Sequence, residues 1–304
     1  MTFISLFTST KPLKLWIPGG HGMLGSRLAK DARAAGHDVV VSGSEVDIAD
    51  PAAVATFMAA HQPRVIVNCA AYTAVDKAES EPALALRVNA EAPGILAAAA
   101  AAAVDARLVQ VSTDYVFSGS GDRPLDEDTP TAPASVYGRS KRAGEAAVLT
   151  ASDTSLVVRT SWLYAATHKN FVRTMLALMA DRDQLRVVSD QRGRPTSTAT
   201  LSQAILRLIE VGARGVVHVA DETGDEGISW HDFAVVIRQD AAARGLPMKV
   251  QGIEAIPTAA YPTPAARPAW SVLATRRYAT LTGQPLPPWR AALGDLLDAI
   301  VAAR

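Results

Sequence analysis

A tyrosine and a lysine four positions apart, Tyr137 and Lys141, are the residues of this sequence best suited to chemistry. On a helix this spacing puts both side chains on one face, about one turn apart. A free phenol has a pKa of about 10, and a neighbouring ammonium favours its ionised form, which brings it closer to the useful range for proton transfer. The pair could therefore move a proton, although the same spacing is also common on solvated helix faces.

A hydroxyl group, that of Thr113, precedes this pair and directly follows an apolar segment at residues 108–111. If that segment is a strand, Thr113 lies at the carboxyl end of a sheet, where α/β folds bind ligands. A hydroxyl, a phenol and an ammonium beside a nicotinamide make a site for carbonyl reduction, in which hydride comes from the cofactor and the proton from the protein. This chemistry needs no metal ion, and the six histidines show no ligand spacing.

Three glycines, Gly19, Gly22 and Gly25, predict where such a cofactor binds. They follow the apolar residues 13–18 and open a segment with helical periodicity. In this setting the first glycine permits a tight turn, the second lets the backbone approach a pyrophosphate at the helix N-terminus, and the third lets the helix pack on the strand. A purely structural glycine turn is the alternative.

The end of the second predicted strand bears on the choice of cofactor. Dinucleotide-binding folds that prefer NAD usually place an acid there to bind the ribose hydroxyls. Residues 41–44 contain neither an acid nor an arginine, and their small hydroxyl side chains leave room for a 2′-phosphate without a counter-charge. This favours NADPH over NADH. Asp47 and Ile48, a little later, are candidates for contact with the adenine.

The order of apolar segments predicts the architecture that positions these residues. Strand-like and helical segments alternate up to Thr160, which predicts a doubly wound parallel sheet of the Rossmann type within the α/β class. Helices are predicted over residues 51–61, with Asp50 as N-cap, and over residues 84–103. Residues 161–304 predict a smaller α+β substrate-binding lobe, with loop over residues 253–268. Residues 1–13 are expected to lie outside the core of the 1–160 domain, and the two domains are free to exchange segments.

The composition is that of an ordinary globular protein. The chain has 304 residues, of which 49% are apolar and 20% charged, and its formal net charge is zero. This argues against a nucleic-acid or membrane surface, and no stretch is apolar enough to span a bilayer. The single cysteine, Cys69, cannot form an intramolecular disulfide, which fits a reducing compartment. We therefore expect a cytoplasmic protein.

Taken together, the motifs resemble those of the extended short-chain dehydrogenase/reductase superfamily, and more closely those of the dTDP-4-dehydrorhamnose reductase family. The resemblance spans nearly the whole chain. The strings at residues 67–79, 112–117 and 261–268 are far more specific than the glycine turn. The matching strings lie at residues 19–25, 67–79, 112–117, 136–138, 159–162, 190–196 and 261–268.

The resemblance implies a reaction and roles for the residues. The C4 keto group of dTDP-4-dehydro-6-deoxy-L-mannose would be reduced with NADPH or NADH to dTDP-L-rhamnose, an activated sugar for glycans such as lipopolysaccharide O-antigen. Thr113 would hold the C4 oxygen, Tyr137 would donate the proton, and Lys141 would bind the nicotinamide ribose. The other implied cofactor contacts are Gly22, Met23, Leu24, Ala70, Ala71 and Thr73, with Gly19 and Gly25 shaping the turn. The other implied substrate contacts are Asp114, Trp162, Gln191 and Arg267.

Several alternatives stay open beside these roles. Trp162 also fits a core position, Asp114 a strand-end cap, and Arg267 a pairing with a surface acid. The activity could instead be that of another nucleotide-sugar reductase or epimerase. A non-catalytic NADP-binding regulatory subunit is a further alternative, although intact Thr113, Tyr137 and Lys141 argue against it.

The chain departs from the family pattern at two places. Some relatives dimerise around a magnesium ion held by acidic residues, and the matching positions here are Arg27 and Ala199, which are unsuitable ligands. We therefore predict no metal site and a monomer or weak homodimer. After Pro268 the family usually continues with an Asn-Ser pair, whereas this chain has residues 269–271, Ala-Trp-Ser.

Overall fold

A six-stranded parallel sheet forms the centre of the molecule. The structure, a computed structural model, describes residues 11–303, so most of the predicted extension over residues 1–13 lies outside it. The strands are β1 (Lys14–Pro18), β2 (Asp38–Ser42), β3 (Val65–Asn68), β4 (Arg107–Thr113), β5 (Leu156–Thr160) and β10 (Gly215–His218). They lie in the order β2-β1-β3-β4-β5-β10. The strand order reverses between β1 and β3, which is where doubly wound sheets bind ligands.

Helices cover both faces of this sheet. The helices of this half and of the later segment on the sheet are α1 (Met23–Ala34), α2 (Pro51–His61), α3 (Val75–Ala78), α4 (Pro82–Leu86), α5 (Ala92–Ala102), α6 (Val136–Ala151) and α8 (Thr198–Glu210). One face packs against α1 and α8 through side chains such as Leu28 and Ile205, and the other packs against α2, α5 and α6 through Val54, Leu96 and Val148. The predicted doubly wound architecture is confirmed.

The sequence predicts the start of α2 correctly but misses a π-helical turn before α5. The carboxylate of Asp50 accepts a hydrogen bond from the Ala52 N–H, and Pro51 opens α2, as predicted. The single helix predicted over residues 84–103 is wrong, because a π-helical turn at Arg87–Glu91 separates α4 from α5. Such turns are held by tertiary contacts more than by propensity, and here the buried Asn89 reaches out of the turn.

The later half of the chain forms a second, smaller core around Phe233, Met179 and Leu297. Its strands pair as β6 (Leu163–Tyr164) with β9 (Thr196–Ser197), β7 (Gln184–Val188) with β12 (Gly252–Ile256), and β8 (Arg192–Gly193) with β11 (Ile228–Ser229). Its helices are α7 (Phe171–Asp181), α9 (Trp230–Ala243), α10 (Arg276–Thr282) and α11 (Trp289–Ala302).

One segment of this half returns to the main sheet, which the expected exchange of segments allows, and another differs from the prediction. Strand β10 leaves the smaller lobe and pairs with β5 at the edge of the main sheet. Strand β12 occupies part of the predicted loop over residues 253–268, because it gains a full parallel register against β7. None of the helices within residues 11–303 has the length and hydrophobicity needed to cross a bilayer.

Helix α6 approaches the π-helical turn closely because Gly144 carries no side chain. A Cβ atom at Gly144 would lie 2.1 Å from the carbonyl oxygen of Asn89. We expect Gly144→Ala to lower the free energy of unfolding by about 1–3 kcal/mol, the range for overpacking, despite the better helix propensity of alanine. Urea unfolding followed by circular dichroism measures the change.

Gly94→Ala is the matched control, because Gly94 also lies in a helix, α5, facing α6. An added Cβ atom there would meet only the Ala147 Cβ atom, at 3.3 Å. We expect its free energy of unfolding to change by less than about 1 kcal/mol, because the helix propensity of alanine offsets the tight contact with Ala147. An equal loss in both variants would contradict the importance of the close approach at Gly144.

Candidate active site

The glycine turn lies at the switch point of the sheet, in contact with the end of β3. Gly19 has φ of +71°, and a Cβ atom there would lie 2.6 Å from the backbone nitrogen of Ala70. Gly22 is the N-cap of α1 and offers no side chain to the first turn of that helix. The first N–H groups of α1 have no acceptor within the helix, and a helix start of this kind is suited to bind a pyrophosphate. Met23 is half-buried beside them, whereas the Leu24 side chain lies in the core.

A buried asparagine fixes the segment that follows β3. The side chain of Asn89 accepts a hydrogen bond from the Tyr72 N–H (2.9 Å) and donates to the Tyr72 carbonyl (3.0 Å). It also donates to the Ser140 hydroxyl on α6 (3.0 Å). Ala70, Ala71 and Thr73 are thereby held between the glycine turn and α6. Asn89 was missed from the sequence because its string carries only a helical pattern.

Capping interactions fix the start of α6, which carries Tyr137 and Lys141. The Ser135 hydroxyl accepts a hydrogen bond from the Gly138 N–H (3.1 Å), and the Glu79 carboxylate accepts one from the Val136 N–H (2.8 Å). The ring of Tyr115 meets that of Tyr137 edge-on, with centroids 5.5 Å apart. Glu79 lies in the 67–79 string that the sequence singled out, so part of that motif holds the helix bearing Tyr137.

The three predicted reaction residues lie together at the carboxyl edge of the sheet. Thr113 ends β4, and its hydroxyl interacts with the phenol of Tyr137. Lys141 is buried and donates from Nζ to the carbonyl of Val111 on the same strand (2.7 Å). A hydroxyl, a phenol and an ammonium therefore lie together at the carboxyl end of β4.

The pKa of Tyr137 shifts against the direction expected from the sequence. Desolvation raises it to about 12, and the interaction with the Thr113 hydroxyl opposes this only in part. The Lys141 ammonium is hydrogen-bonded to a backbone carbonyl, and its charge does not offset the effect of burial on the pKa of Tyr137. A raised pKa keeps the phenol protonated at neutral pH, which is the state that a proton donor in a reduction needs.

The carboxyl group of Asp114 is held in an unusual state beside Thr113. Asp114 is 2% exposed, and burial raises its pKa to about 6. One carboxyl oxygen accepts a hydrogen bond from the Thr113 hydroxyl (3.0 Å), and the nearby Ser271 hydroxyl also lowers the pKa of the carboxyl group, while Oδ2 makes no hydrogen bond within residues 11–303. A buried polar atom without a partner is rare in proteins, and one in a pocket is suited to bind a ligand hydroxyl.

Trp162 occupies a strained position just after β5. Its φ is +48°, a left-handed conformation that is costly for a bulky residue and is often found at functional sites. Its ring stacks on Trp230 with centroids 3.5 Å apart, and it also covers Gly193. The side chain is only half-buried, so one part of it packs in the second lobe and another faces solvent.

Other predicted residues have partners of their own. Asp47 pairs with Arg87, and the Ile48 side chain lies in the core, and their contact with the adenine stays a prediction. Gln191 donates to the Thr258 hydroxyl (3.0 Å) in the second lobe.

Arg267 forms an ion pair with an acid, as the alternative interpretation expected. Its guanidinium lies 2.7 Å from the Asp76 carboxylate, which also accepts a hydrogen bond from the Ala265 N–H. The charges of Arg267 and Asp76 shift the pKa of Tyr115 in opposite directions, and Tyr115 packs against Tyr137. Arg267 is therefore near the reaction residues and is tethered to the segment after β3.

One acid close to the glycine turn was missed in the prediction from the sequence. The Glu45 carboxylate folds back after β2 and accepts a hydrogen bond from the Gly43 N–H (2.6 Å). A Cβ atom at Gly43 would touch both this carboxylate and the ring of His21 in the glycine turn. Glu45 stands 20 residues after Gly25, the usual spacing for an acid that binds ribose hydroxyls, and this spacing could have revealed it.

Known proteins resemble this chain over nearly its full length. The family model described as RmlD substrate binding domain matches residues 13–302. A dTDP-4-dehydrorhamnose reductase of Streptomyces griseus is 44% identical over 96% of each chain. A Streptomyces antibioticus protein named "Probable dTDP-4,6-dihydroxy-2-methyloxan-3-one 4-ketoreductase" is 43% identical over 94% of this chain and 95% of its own. The crystal structure of dTDP-4-dehydrorhamnose reductase from Bacillus anthracis in complex with NADP is 35% identical, has a TM-score of 0.88, and matches 95% of this chain and 100% of that one.

The raised pKa of Asp114 predicts a pH-dependent effect on stability. Because the folded-state pKa, about 6, lies above the unfolded value, ionisation of Asp114 opposes folding. The contribution of neutral Asp114 to the free energy of unfolding is complete below about pH 4 and is lost as the pH rises through 6. We expect Asp114→Asn to raise the free energy of unfolding by about 1–3 kcal/mol at pH 8 and by much less near pH 4. Urea unfolding at both pH values tests this, and an equal gain at both would contradict burial as the cause.

Proposed function

The chain belongs to the dTDP-4-dehydrorhamnose reductase family, and we propose that it reduces the C4 keto group of dTDP-4-dehydro-6-deoxy-L-mannose with NADPH or NADH to give dTDP-L-rhamnose. The observation that carries this proposal is the convergence of Thr113, Tyr137 and Lys141 at the carboxyl edge of the sheet, beside the glycine turn. A regulatory binding subunit would have no use for this arrangement.

Each of the three residues has its own role in the reduction. Bound NAD(P)H supplies the hydride for C4. The Thr113 hydroxyl turns from the Asp114 carboxylate to donate its single hydrogen bond to the C4 oxygen. Tyr137 also donates to this oxygen and gives its proton as negative charge builds there. An alkoxide is much more basic than a phenolate, so this transfer is favourable even with the raised pKa of Tyr137. Lys141 binds the nicotinamide ribose, and its positive charge stabilises the phenolate left on Tyr137.

The remaining contacts are proposed from their positions. The unpartnered oxygen of Asp114 accepts a hydrogen bond from a sugar hydroxyl next to C4. Trp162 covers an apolar face of the sugar, and its strained backbone supports a role beyond packing. Gln191 and Arg267 contact the nucleotide end of the substrate, with Arg267 presented by Asp76.

A second substrate deserves comparison because of one relative. The Streptomyces antibioticus protein is named for 4-keto reduction of a different dTDP-sugar. The same three residues serve either reaction, so the choice between the two sugars depends on the contacts around the ring. Turnover of both sugars by the purified protein decides between them.

The assembly and location are proposed from the chain's own residues. Arg27 pairs with Asp31 one turn along α1, and Ala199 on α8 supplies no ligand. Within residues 11–303, no three His, Cys, Asp or Glu side chains gather as a metal site. We therefore propose a monomer or weak homodimer that needs no metal. Its nicotinamide and nucleotide-sugar ligands favour a cytoplasmic location.

Turnover with the two cofactors tests the proposed reaction. The purified protein should oxidise NADPH or NADH in the presence of dTDP-4-dehydro-6-deoxy-L-mannose, followed by nicotinamide absorbance. Tyr137→Phe should lower kcat by roughly 10²–10⁴, the contribution of a general acid, with little change in cofactor affinity. Wild-type protein that binds nucleotide yet turns over neither cofactor would refute the proposal. A near-normal rate for Tyr137→Phe would refute only the role of Tyr137.

The Glu45 carboxylate predicts a charge effect on cofactor choice. Its negative charge lies where a 2′-phosphate would approach, while the small residues around Gly43 leave room for that phosphate. We propose that both cofactors are used, and that Glu45→Gln raises kcat/KM for NADPH relative to NADH by roughly tenfold, the effect of about 1.4 kcal/mol.

Steady-state kinetics with each cofactor measure this ratio. Glutamine keeps an acceptor for the Gly43 N–H, so the local backbone is preserved. Glu254→Gln, which removes one exposed charge from β12 in the second lobe, is the control and should leave the ratio unchanged. The idea fails if both variants alter the ratio equally or if neither does.

A further inference from the structure

A third side chain lies in line with Tyr137 and Lys141 on α6. Glu145 follows Lys141 by four residues, as Lys141 follows Tyr137, so the three share one face of the helix. Glu145 is fully buried. A buried carboxylate is costly unless it is paired and fully hydrogen-bonded, so its surroundings indicate what it does.

The carboxylate of Glu145 joins three elements. It accepts a hydrogen bond from the Ser112 hydroxyl on β4 (2.6 Å). It also accepts two hydrogen bonds from the Arg159 guanidinium on β5, each 2.8 Å long. Both partners are buried, and they lie opposite each other in the β4–β5 register, one step before Thr113.

We propose that Glu145 is a positioning residue for the reduction: its carboxylate ties the end of β4, which carries Thr113, to the turn of α6 that carries Lys141. This inference rests on the proposed function. Ser112 precedes Thr113, so the Ser112–Glu145 bond sets how far the Thr113 hydroxyl lies from the phenol on α6. A displacement of about 1 Å between such groups is enough to slow a reaction by roughly a hundredfold.

The charge of Glu145 gives the same residue an electrostatic effect on Lys141. Burial lowers the pKa of Lys141 to about 8, and Glu145 opposes this shift. Cys69, at the end of β3, also acts on Lys141, but burial raises the pKa of its thiol to about 12, so it stays neutral. Tyr137 is likewise neutral. The guanidinium of Arg159, on β5, is a cation paired with Glu145. Glu145 is thus the anion that favours the ammonium form of Lys141.

The sign of the pH effect follows from these charges. Glu145→Gln removes the anion and leaves the Arg159 cation without its counter-charge, so the pKa of Lys141 falls. The ammonium is then lost at lower pH, so the alkaline limb of kcat/KM should move down by roughly one pH unit, as expected for the loss of a nearby opposite charge. The rate at pH 7 should also fall roughly tenfold to a hundredfold through lost positioning.

The experiment is the pH profile of kcat/KM for Glu145→Gln, Glu145→Asp and wild type. Aspartate keeps the charge but shortens the reach, so its rate should fall while its alkaline limb stays near that of wild type. Glu127→Gln is the matched control, because Glu127 is also buried and accepts a hydrogen bond from the backbone of His218 behind Arg159. It should lose stability without moving the limb. The electrostatic effect is overturned if the alkaline limb of kcat/KM stays in place in Glu145→Gln. It is also overturned if that limb moves equally in Glu127→Gln.

A separate variant covers the case in which Glu145→Gln does not fold. Ser112→Ala removes one hydrogen bond and leaves the ion pair with Arg159 intact, so it should fold and lose roughly tenfold in kcat with an unmoved limb. An unchanged kcat in Ser112→Ala overturns the positioning role. Wild-type turnover is measured first: its absence refutes the proposed function, whereas normal wild-type turnover with unaffected variants refutes only the role of Glu145.

Discussion

The site depends on one constraint, which is that ionisable side chains are kept from water at the carboxyl edge of the sheet. Desolvation moves the pKa of Tyr137 up to about 12 and that of Asp114 up to about 6, and it moves the pKa of Lys141 down to about 8. Each shift favours the neutral form. A phenol that keeps its proton is useful only for a reaction that consumes one. The same exclusion of water strengthens hydrogen bonds to an oxygen that gains negative charge.

Such a site needs its elements held in a fixed arrangement. The Glu145–Arg159 pair contributes to this, because it is buried, doubly hydrogen-bonded and linked to β4 through Ser112. Arg159 also stacks over the Phe117 ring and lies near His218 on β10. Breaking one side of a buried pair typically costs about 3–5 kcal/mol. The interactions that hold the site are thus also part of what holds the sheet to α6.

Local patterns were enough to predict the parts of the molecule that depend on neighbours in sequence. The alternation of strands and helices, the Asp50 cap and the glycine turn are all of this kind. The π-helical turn around Asn89 was not predictable, since it exists to reach Tyr72 and Ser140. The pairing of Arg267 with Asp76 joins residues 191 positions apart. The direction of the Tyr137 shift depended on burial, which the Tyr137–Lys141 spacing does not encode.

The segment that departs from the family pattern holds two distant parts of the chain together. The indole N–H of Trp270 donates to the carbonyl of Arg123 (2.8 Å), and its ring lies against Gly121. The neighbouring Ser271 hydroxyl interacts with Asp114 and lowers its pKa against the effect of burial. The tryptophan therefore packs the loop after β4 against the later chain, while the serine keeps its contact beside Thr113. Thr113, Tyr137 and Lys141 belong to β4 and α6, so the departure concerns a neighbouring loop and not the elements that carry the proposed reaction residues.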